Sequence, residues 1–167
     1  MGGLVAFCRN RCTSVEQVDE KMLRAWCRLQ DTGLDVFVEI RVKLPDLEVL
    51  AAKGEVYRSD GKALSEAVGT LKKVVGIRVG PGMGKIIRGL LGEDEGVKQL
   101  AFMVEECCHG VILTFTKETL KKAPQDVEEA RKFYAGMARE NLRLVNRCAA
   151  YAPGSSLVEG LEPVDER

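Results

Sequence analysis

At Ser59-Asp60-Gly61 the hydrophobic period of the chain changes from two to 3.6, so strands give way to helices there. Before that point Leu23, Ala25, Cys27 and Leu29 alternate with Arg24, Trp26, Arg28 and Gln30. Val36, Val38, Ile40, Val42 and Leu44 alternate in the same way with Phe37, Glu39, Arg41 and Lys43. Asp31-Thr32-Gly33 and Pro45-Asp46 are turn signals between the runs,. A third strand is expected over Leu47–Tyr57 and a fourth around Val5–Val15. Turns this short join antiparallel neighbours, so the first third reads as a meander with one face toward a core.

After the switch, Leu64, Ala67, Val68, Leu71, Val74 and Val75 share one helical face, and Gly76 stands where that helix would stop,. Ile77–Val79 is a short extended link, and Pro81 opens a second helix through Lys85, Ile86, Ile87, Leu90 and Leu91 to Gly92,. Val97, Leu100, Ala101, Val104, Cys107, Cys108, Val111, Ile112 and Phe115 mark a third, strongly amphipathic helix,. A fourth is expected from about Asp126 to Tyr151, with Val127, Ala130, Tyr134, Met137, Leu144, Val145 and Cys148 inward. The expected fold is α+β: an N-terminal antiparallel meander of about four strands packed against about four C-terminal helices. One domain spanning residues 1–167 is expected, with strands over 1–58, helices over 62–151 and an extended tail over 152–167,.

Composition narrows the function. Lys plus Arg and Asp plus Glu both number 25. Nucleic-acid binders that work by bulk electrostatics need a cationic excess, and so do peripheral membrane binders, so neither partner is expected. No apolar run approaches the roughly 20 residues of a membrane span. Leu4-Val5-Ala6-Phe7 is too short for a signal-peptide core, and Met1-Gly2-Gly3 lacks the Ser or Thr of a myristoylation start, because Ala6 stands there,. A cytoplasmic protein is expected. The only histidine is His109, so any Ser-His or Cys-His pair must use it and a multi-histidine metal site is excluded. The six cysteines, Cys8, Cys12, Cys27, Cys107, Cys108 and Cys148, include no C-x-x-C pair. They are expected to be reduced and to behave as small hydrophobes; neither a metal nor a cofactor is expected.

Three local features invite a functional reading. Gly80-Pro81-Gly82-Met83-Gly84-Lys85 looks like a phosphate loop, but it fails the Walker spacing and the dinucleotide fingerprint alike,. What survives is a helix start with free N–H groups beside Arg78, Lys85 and Arg88 that could hold a small anion; the plainer alternative is a tight turn that needs glycine. His109 follows Glu105 and Glu106 by one helical turn, as an acid–base pair would, yet lies off its helix's apolar stripe,. Trp26 and Phe37 point to the sheet's open face, where an apolar patch would serve a ligand or a partner,.

The stretch Leu71-Lys72-Lys73-Val74-Val75-Gly76-Ile77-Arg78-Val79-Gly80-Pro81-Gly82 resembles a bacterial family known only as a domain of unknown function, family 2889. Gly96-Val97-Lys98-Gln99-Leu100 stands where that family carries a glycine-cysteine-threonine-histidine-leucine motif. Leu34-Asp35-Val36-Phe37-Val38 resembles its histidine-aspartate strand start, and Asn146-Arg147-Cys148 its late cysteine. The resemblance implies that a polar site of the family is depleted here: Leu34, Val97 and Gln99 replace a histidine, a cysteine and a histidine. Asp35 and Cys148 remain as catalytic candidates, and Gln99 as a ligand contact.

Three functions follow as expectations. The first is a non-catalytic or accessory domain that binds a small ligand or a partner and forms a homo-oligomer. It would use the open sheet face or the cleft between sheet and helices, with Gln99, Arg78, Gly80, Gly82, Gly84, Lys85 and Trp26 as contacts. The second is an enzyme acting on a small anionic or thioester-like substrate through Cys148 or Asp35. The third, an iron–sulfur or sulfur-transfer scaffold, lacks the cysteine needed after the third strand, where Ala52-Lys53-Gly54-Glu55 stands.

Overall fold

The alternation of the first third becomes four strands. In a computed structural model, which describes residues 6–146 and 148–163, these are β1 (Arg9–Asp19), β2 (Met22–Asp31), β3 (Asp35–Lys43) and β4 (Glu48–Arg58). They form one antiparallel sheet in the order β1-β2-β3-β4. The first strand begins later than its expected span and continues to Asp19; Val5 and Met1-Gly2-Gly3 lie outside the described residues, as does the end of the tail from 164 on. Trp26 pairs with Glu39 and Arg28 with Phe37 across β2 and β3, so the polar residues of both strands share one face. The other face carries Leu23, Ala25, Cys27, Leu29, Val36, Val38, Ile40 and Val42, none more than 3% exposed. Burying each of the larger of these side chains contributes about 1.5–3 kcal/mol.

A helical part of the chain follows the sheet. It comprises α1 (Ala63–Ala67), a 3₁₀ turn (Val68–Val74), α2 (Met83–Leu91), α3 (Glu95–Lys122) and α4 (Val127–Glu140). The first expected helix is short and tightens into the 3₁₀ turn, which buries Leu71 and Val74 but leaves Val75 46% exposed. Gly76 then takes a φ of 91°, a stop that costs glycine little. In α2 Met83, Ile87 and Leu91, spaced by four, are buried. α3 lies against the inner face of the sheet: the Cys107 thiol faces the Val38 carbonyl at 3.8 Å, and a Cβ at Gly110 would stand 2.9 Å from Val15 Cγ2. Glycine therefore sets the approach of α3 to β1. The expected inward face of this helix ends at Val111; Ile112 is 37% and Phe115 40% exposed.

The contacts divide the chain into two compact units, Met1–Thr114 and Phe115–Arg167. In the second unit, Asp126 caps α4 by accepting from the N–H groups of Glu128 and Glu129, both at 3.0 Å,. α4 stops at Glu140, well before Tyr151, because Asn141 leaves helical geometry with a φ of −136°. Two 3₁₀ turns follow, Leu142–Leu144 and Ala149–Tyr151. Ala138, Val145, Tyr151 and Val158 form a small core. Val127, expected inward, is 77% exposed, and Cys148 is exposed as well. The segment after Pro153 is a run of turns that buries Val158, where an extended tail was expected.

Candidate functional site

Three separated segments meet at one end of the sheet in the first unit and enclose an open cleft of about 670 Å³. They are the β2–β3 turn (Asp31–Leu34), the link from β4 into α1 (Ser59–Leu64) and the first turn of α3 with Gly96 and Gln99; Phe7 adds an aromatic edge. The β2–β3 turn is rigid by its chemistry. The Asp31 carboxylate accepts from the N–H groups of Gly33 at 3.0 Å and Leu34 at 2.8 Å and from Arg9 Nη2 at 2.8 Å. The Arg9 hydrogen bond, opposed by burial and helped by the two N–H groups, holds Asp31 below the usual carboxylate range,. Arg58 ties the same turn down by donating to the Asp31 carbonyl at 2.6 Å. A Cβ on Gly96 would stand 3.0 Å from the backbone of Ala63 and Leu64, so glycine lets α3 start directly against α1 and forms that wall.

The polar lining of the cleft is unequal. Asp31 is fully engaged. Asp60, whose carboxylate abuts Gly33, has no hydrogen-bond or ion-pair partner among the described residues, and neither does the Gln99 amide. Leu34, Ala63, Leu64 and Phe7 supply an apolar lining.

The open face of the sheet is arranged differently. Trp26 packs on Phe37 with ring centroids 5.9 Å apart, and Arg28 lies over the Tyr57 ring at 5.3 Å. Two carboxylates, Asp35 and Glu39, flank Phe37 along β3 on this face. Arg28 grips Asp35 through two parallel hydrogen bonds of 3.0 and 2.9 Å, and Gln30 adds a third at 2.9 Å. The Arg28 bond leads in holding Asp35 below its usual pKa, against desolvation,. Glu39 is only 2% exposed. Burial pushes its pKa up, but the Arg24 hydrogen bond at 2.8 Å and the charges of Lys53, Arg24 and Arg41 more than offset this, leaving it lowered,. Neither carboxylate is poised to take up a proton near neutrality.

The other expected residues lie apart. Gly82 caps α2 in the left-handed conformation with a φ of 78°. Arg78 and Lys85 are exposed nearby, and Gly80 lies between Val79 and Pro81 at the bend. The Glu105 carboxylate, paired with Arg88 at 2.7 Å, stands 3.4 Å from the position of a Cβ on Gly84. Arg88 Nη1 stands 3.5 Å from the same position, so a closed ion pair already occupies the neighbourhood of this helix start and engages Arg88. His109 is exposed, with Nδ1 4.0 Å from Glu106. Cys148 belongs to the second unit, where a separate cavity of about 510 Å³ is lined by Val145 and residues 153–156, 158–161 and 163 without it; Arg147 beside it lies outside the described residues. Neither cavity is lined by more than one of Asp35, Gln99 and Cys148. Among the described residues no group of three His, Cys, Asp or Glu side chains is placed to share a metal ion, and no helix is long and apolar enough to cross a membrane.

Sequence reasoning reached Gln99 and Trp26 but missed Asp60 and Glu39. Asp60 stood in the Ser59-Asp60-Gly61 turn, which marked the change of period and could have been read as a loop carrying a free carboxylate. Glu39 carried no signal, because alternation assigns it to the solvent side and cannot see the cations that close over it. Comparison with protein-family models, curated proteins and solved structures returns no match for the chain.

Proposed function

We propose that the chain is a non-catalytic binding domain whose end-of-sheet cleft takes a small amphipathic ligand. Asp60 would receive a cationic or hydrogen-bond-donating group of that ligand, Gln99 would orient it, and Leu34, Leu64 and Phe7 would cover its apolar part. One observation carries the reading: Asp60 and Gln99 line a concave site without partners among the described residues, while Asp31, Asp35 and Glu39 are all engaged by arginines. Pockets of this kind typically use a few free polar groups to fix orientation against an apolar wall. The Asp60 carboxylate in the cleft favours a cation over the small anion that the Gly80–Lys85 turn suggests. Six unpaired cysteines suit a cytoplasmic location, where thiols stay reduced,. The likeness to family 2889 belongs to the same proposal and rests on the Leu71–Gly82 stretch. An enzyme acting through Cys148 is the second reading, favoured by the exposure of that thiol.

Thermal denaturation with 1,4-diaminobutane, agmatine and succinate as probes tests the cleft. An amine or guanidinium probe at a hundred times its Kd should stabilise the protein by about 2.7 kcal/mol, several degrees of Tm. Asp60→Asn should remove that shift. A shift with succinate alone, or one that survives Asp60→Asn, would place binding elsewhere.

A further inference from the structure

The two edges of the sheet are treated differently by the fold. Along β4 the returning chain covers part of the edge: Val49 and Ile77, Gly76 and Val49, and Val79 and Leu47 are joined by backbone hydrogen bonds of 2.8–2.9 Å. Among the described residues β1 has no such backbone partner beyond β2; it is eleven residues long, and none of its residues is buried. Its register with β2 is regular from Arg9 to Gln17, and it contains no proline. Natural edge strands are commonly short, bulged or interrupted because an open row of N–H and C=O groups templates further pairing. This one is long and regular for nine residues.

Its charges are also sorted along its length. Arg9 and Arg11 stand at the start, Glu16 and Asp19 at the end, and the four residues between, Cys12-Thr13-Ser14-Val15, are uncharged. Arg9 also pairs with Asp31, Arg11 with Glu106 and Glu16 with Arg24 within the chain, but these three strand side chains stay about half exposed, and such surface pairs are weak enough to be shared with a partner. We propose that β1 is a dimerisation edge that pairs antiparallel with β1 of a second copy of the chain, joining two four-stranded sheets into one of eight. The antiparallel direction follows from the charge. A two-fold axis near Thr13 or Ser14 lays the basic start of each strand along the acidic end of its partner, whereas parallel pairing would set like charges together. Arg11 and Glu16 lie on opposite faces of the strand, so across the interface they act as neighbours within roughly a Debye length rather than as a contact pair. The uncharged middle lets the backbones meet without burying a charge.

Light scattering at a protein concentration of about 100 µM, where a micromolar Kd gives mostly dimer, reads the association. The wild-type protein should be a dimer, and raising NaCl from about 50 mM to about 500 mM should weaken it, because screening removes the charge contribution. Glu16→Lys with Asp19→Lys makes the whole strand basic, and Arg9→Glu with Arg11→Glu makes it acidic. Each double variant should associate at least tenfold more weakly, and an equimolar mixture of the two should recover a heterodimer. Ser14→Lys, which disturbs no ion pair, should also weaken association while circular dichroism shows the fold unchanged. A monomeric wild type would overturn the proposal. So would a dimer indifferent to Ser14→Lys, or two folded charge variants that fail to rescue each other.

Discussion

Glu39 shows how a carboxylate survives on the nominally open side of a sheet. Three cations reach it, Arg24 at 2.8 Å and Arg41 and Lys53 at 3.6 Å, and their stems shield it from water. Its pKa is lowered below the ordinary 4.5, so as pH falls past 4.5 the unfolded chain binds protons before the folded one does. Stability from this group is therefore complete above pH 4.5 and is lost as pH drops through the folded value. Asp31 and Asp35, lowered from an ordinary 3.8, extend the same loss to lower pH. Thermal melts should be nearly flat from neutrality to about pH 5 and then fall. Glu39→Gln should cost about 1–3 kcal/mol at pH 7, since the amide keeps an acceptor oxygen but removes the charge that faces three cations, and should make the acid limb shallower. An equally steep acid limb in the variant would mean that Glu39 does not govern it. At this scale the sequence revealed which face a residue joins but not how deeply a charge sits there, because depth depends on which long side chains converge from neighbouring strands.

Among the elements, the strands were the most legible. A period of two continued through Leu23–Leu29 and Val36–Val42 leaves little freedom in which face is buried, since a one-residue slip would turn every one of these side chains outward. The helices were legible in their starts and less so in their ends. α2 begins and ends at glycines, Gly82 and Gly92, both with positive φ, and those are readable stops. α4 ends at Asn141 with neither Gly nor Pro to announce it; the chain turns there and buries Val145 and Tyr151 against Ala138 instead. α3 outruns the core, so its apolar period continues through Ile112 and Phe115 after burial has ended. The start of α4 rests on one side chain. Asp126→Ala removes the acceptor for two N–H groups and should cost about 0.5–2 kcal/mol, seen as faster amide exchange over Val127–Arg131, with Asp126→Asn retaining most of the stability. Gly96→Ala should be costly for a different reason: at 3.0 Å its methyl meets backbone that cannot swing away, so α3 or α1 must shift. Thermal melts of Gly96→Ala and Gly89→Ala separate the causes, because a Cβ at Gly89 meets nothing within 4 Å and should stabilise the helix by up to about 1 kcal/mol. Equal effects at the two positions would remove Gly96 from the cleft wall.

For the molecule as a whole, the α+β order was readable because each half keeps one period. The cleft was not, because residues 31–34, 59–64 and 96–99 come together only once the sheet and α3 are in place, and no spacing in the chain encodes that meeting. The division into two units was also hidden, since α3 runs through the boundary without a break in its pattern. The cysteines sample both units and can distinguish the two readings of function. Cys27, Cys107 and Cys108 are fully buried in the core of the first unit, and Cys8, Cys12 and Cys148 are exposed. Burial pushes all three buried thiols up, Cys108 to about 12, so at pH 8 only roughly one part in 10⁴ of Cys108 is thiolate. Iodoacetamide followed by mass spectrometry should therefore show three labels quickly and the remaining three only when the first unit opens, at a rate that rises with denaturant. Fast labelling of Cys107 or Cys108 in the native protein would contradict the packing of α3 on the sheet. The relative rate at Cys148 then decides about chemistry. A binding domain predicts that Cys148 labels within a few-fold of Cys8 and Cys12, as exposed thiols without an activating partner do, whereas a nucleophile in use would outpace both by an order of magnitude or more.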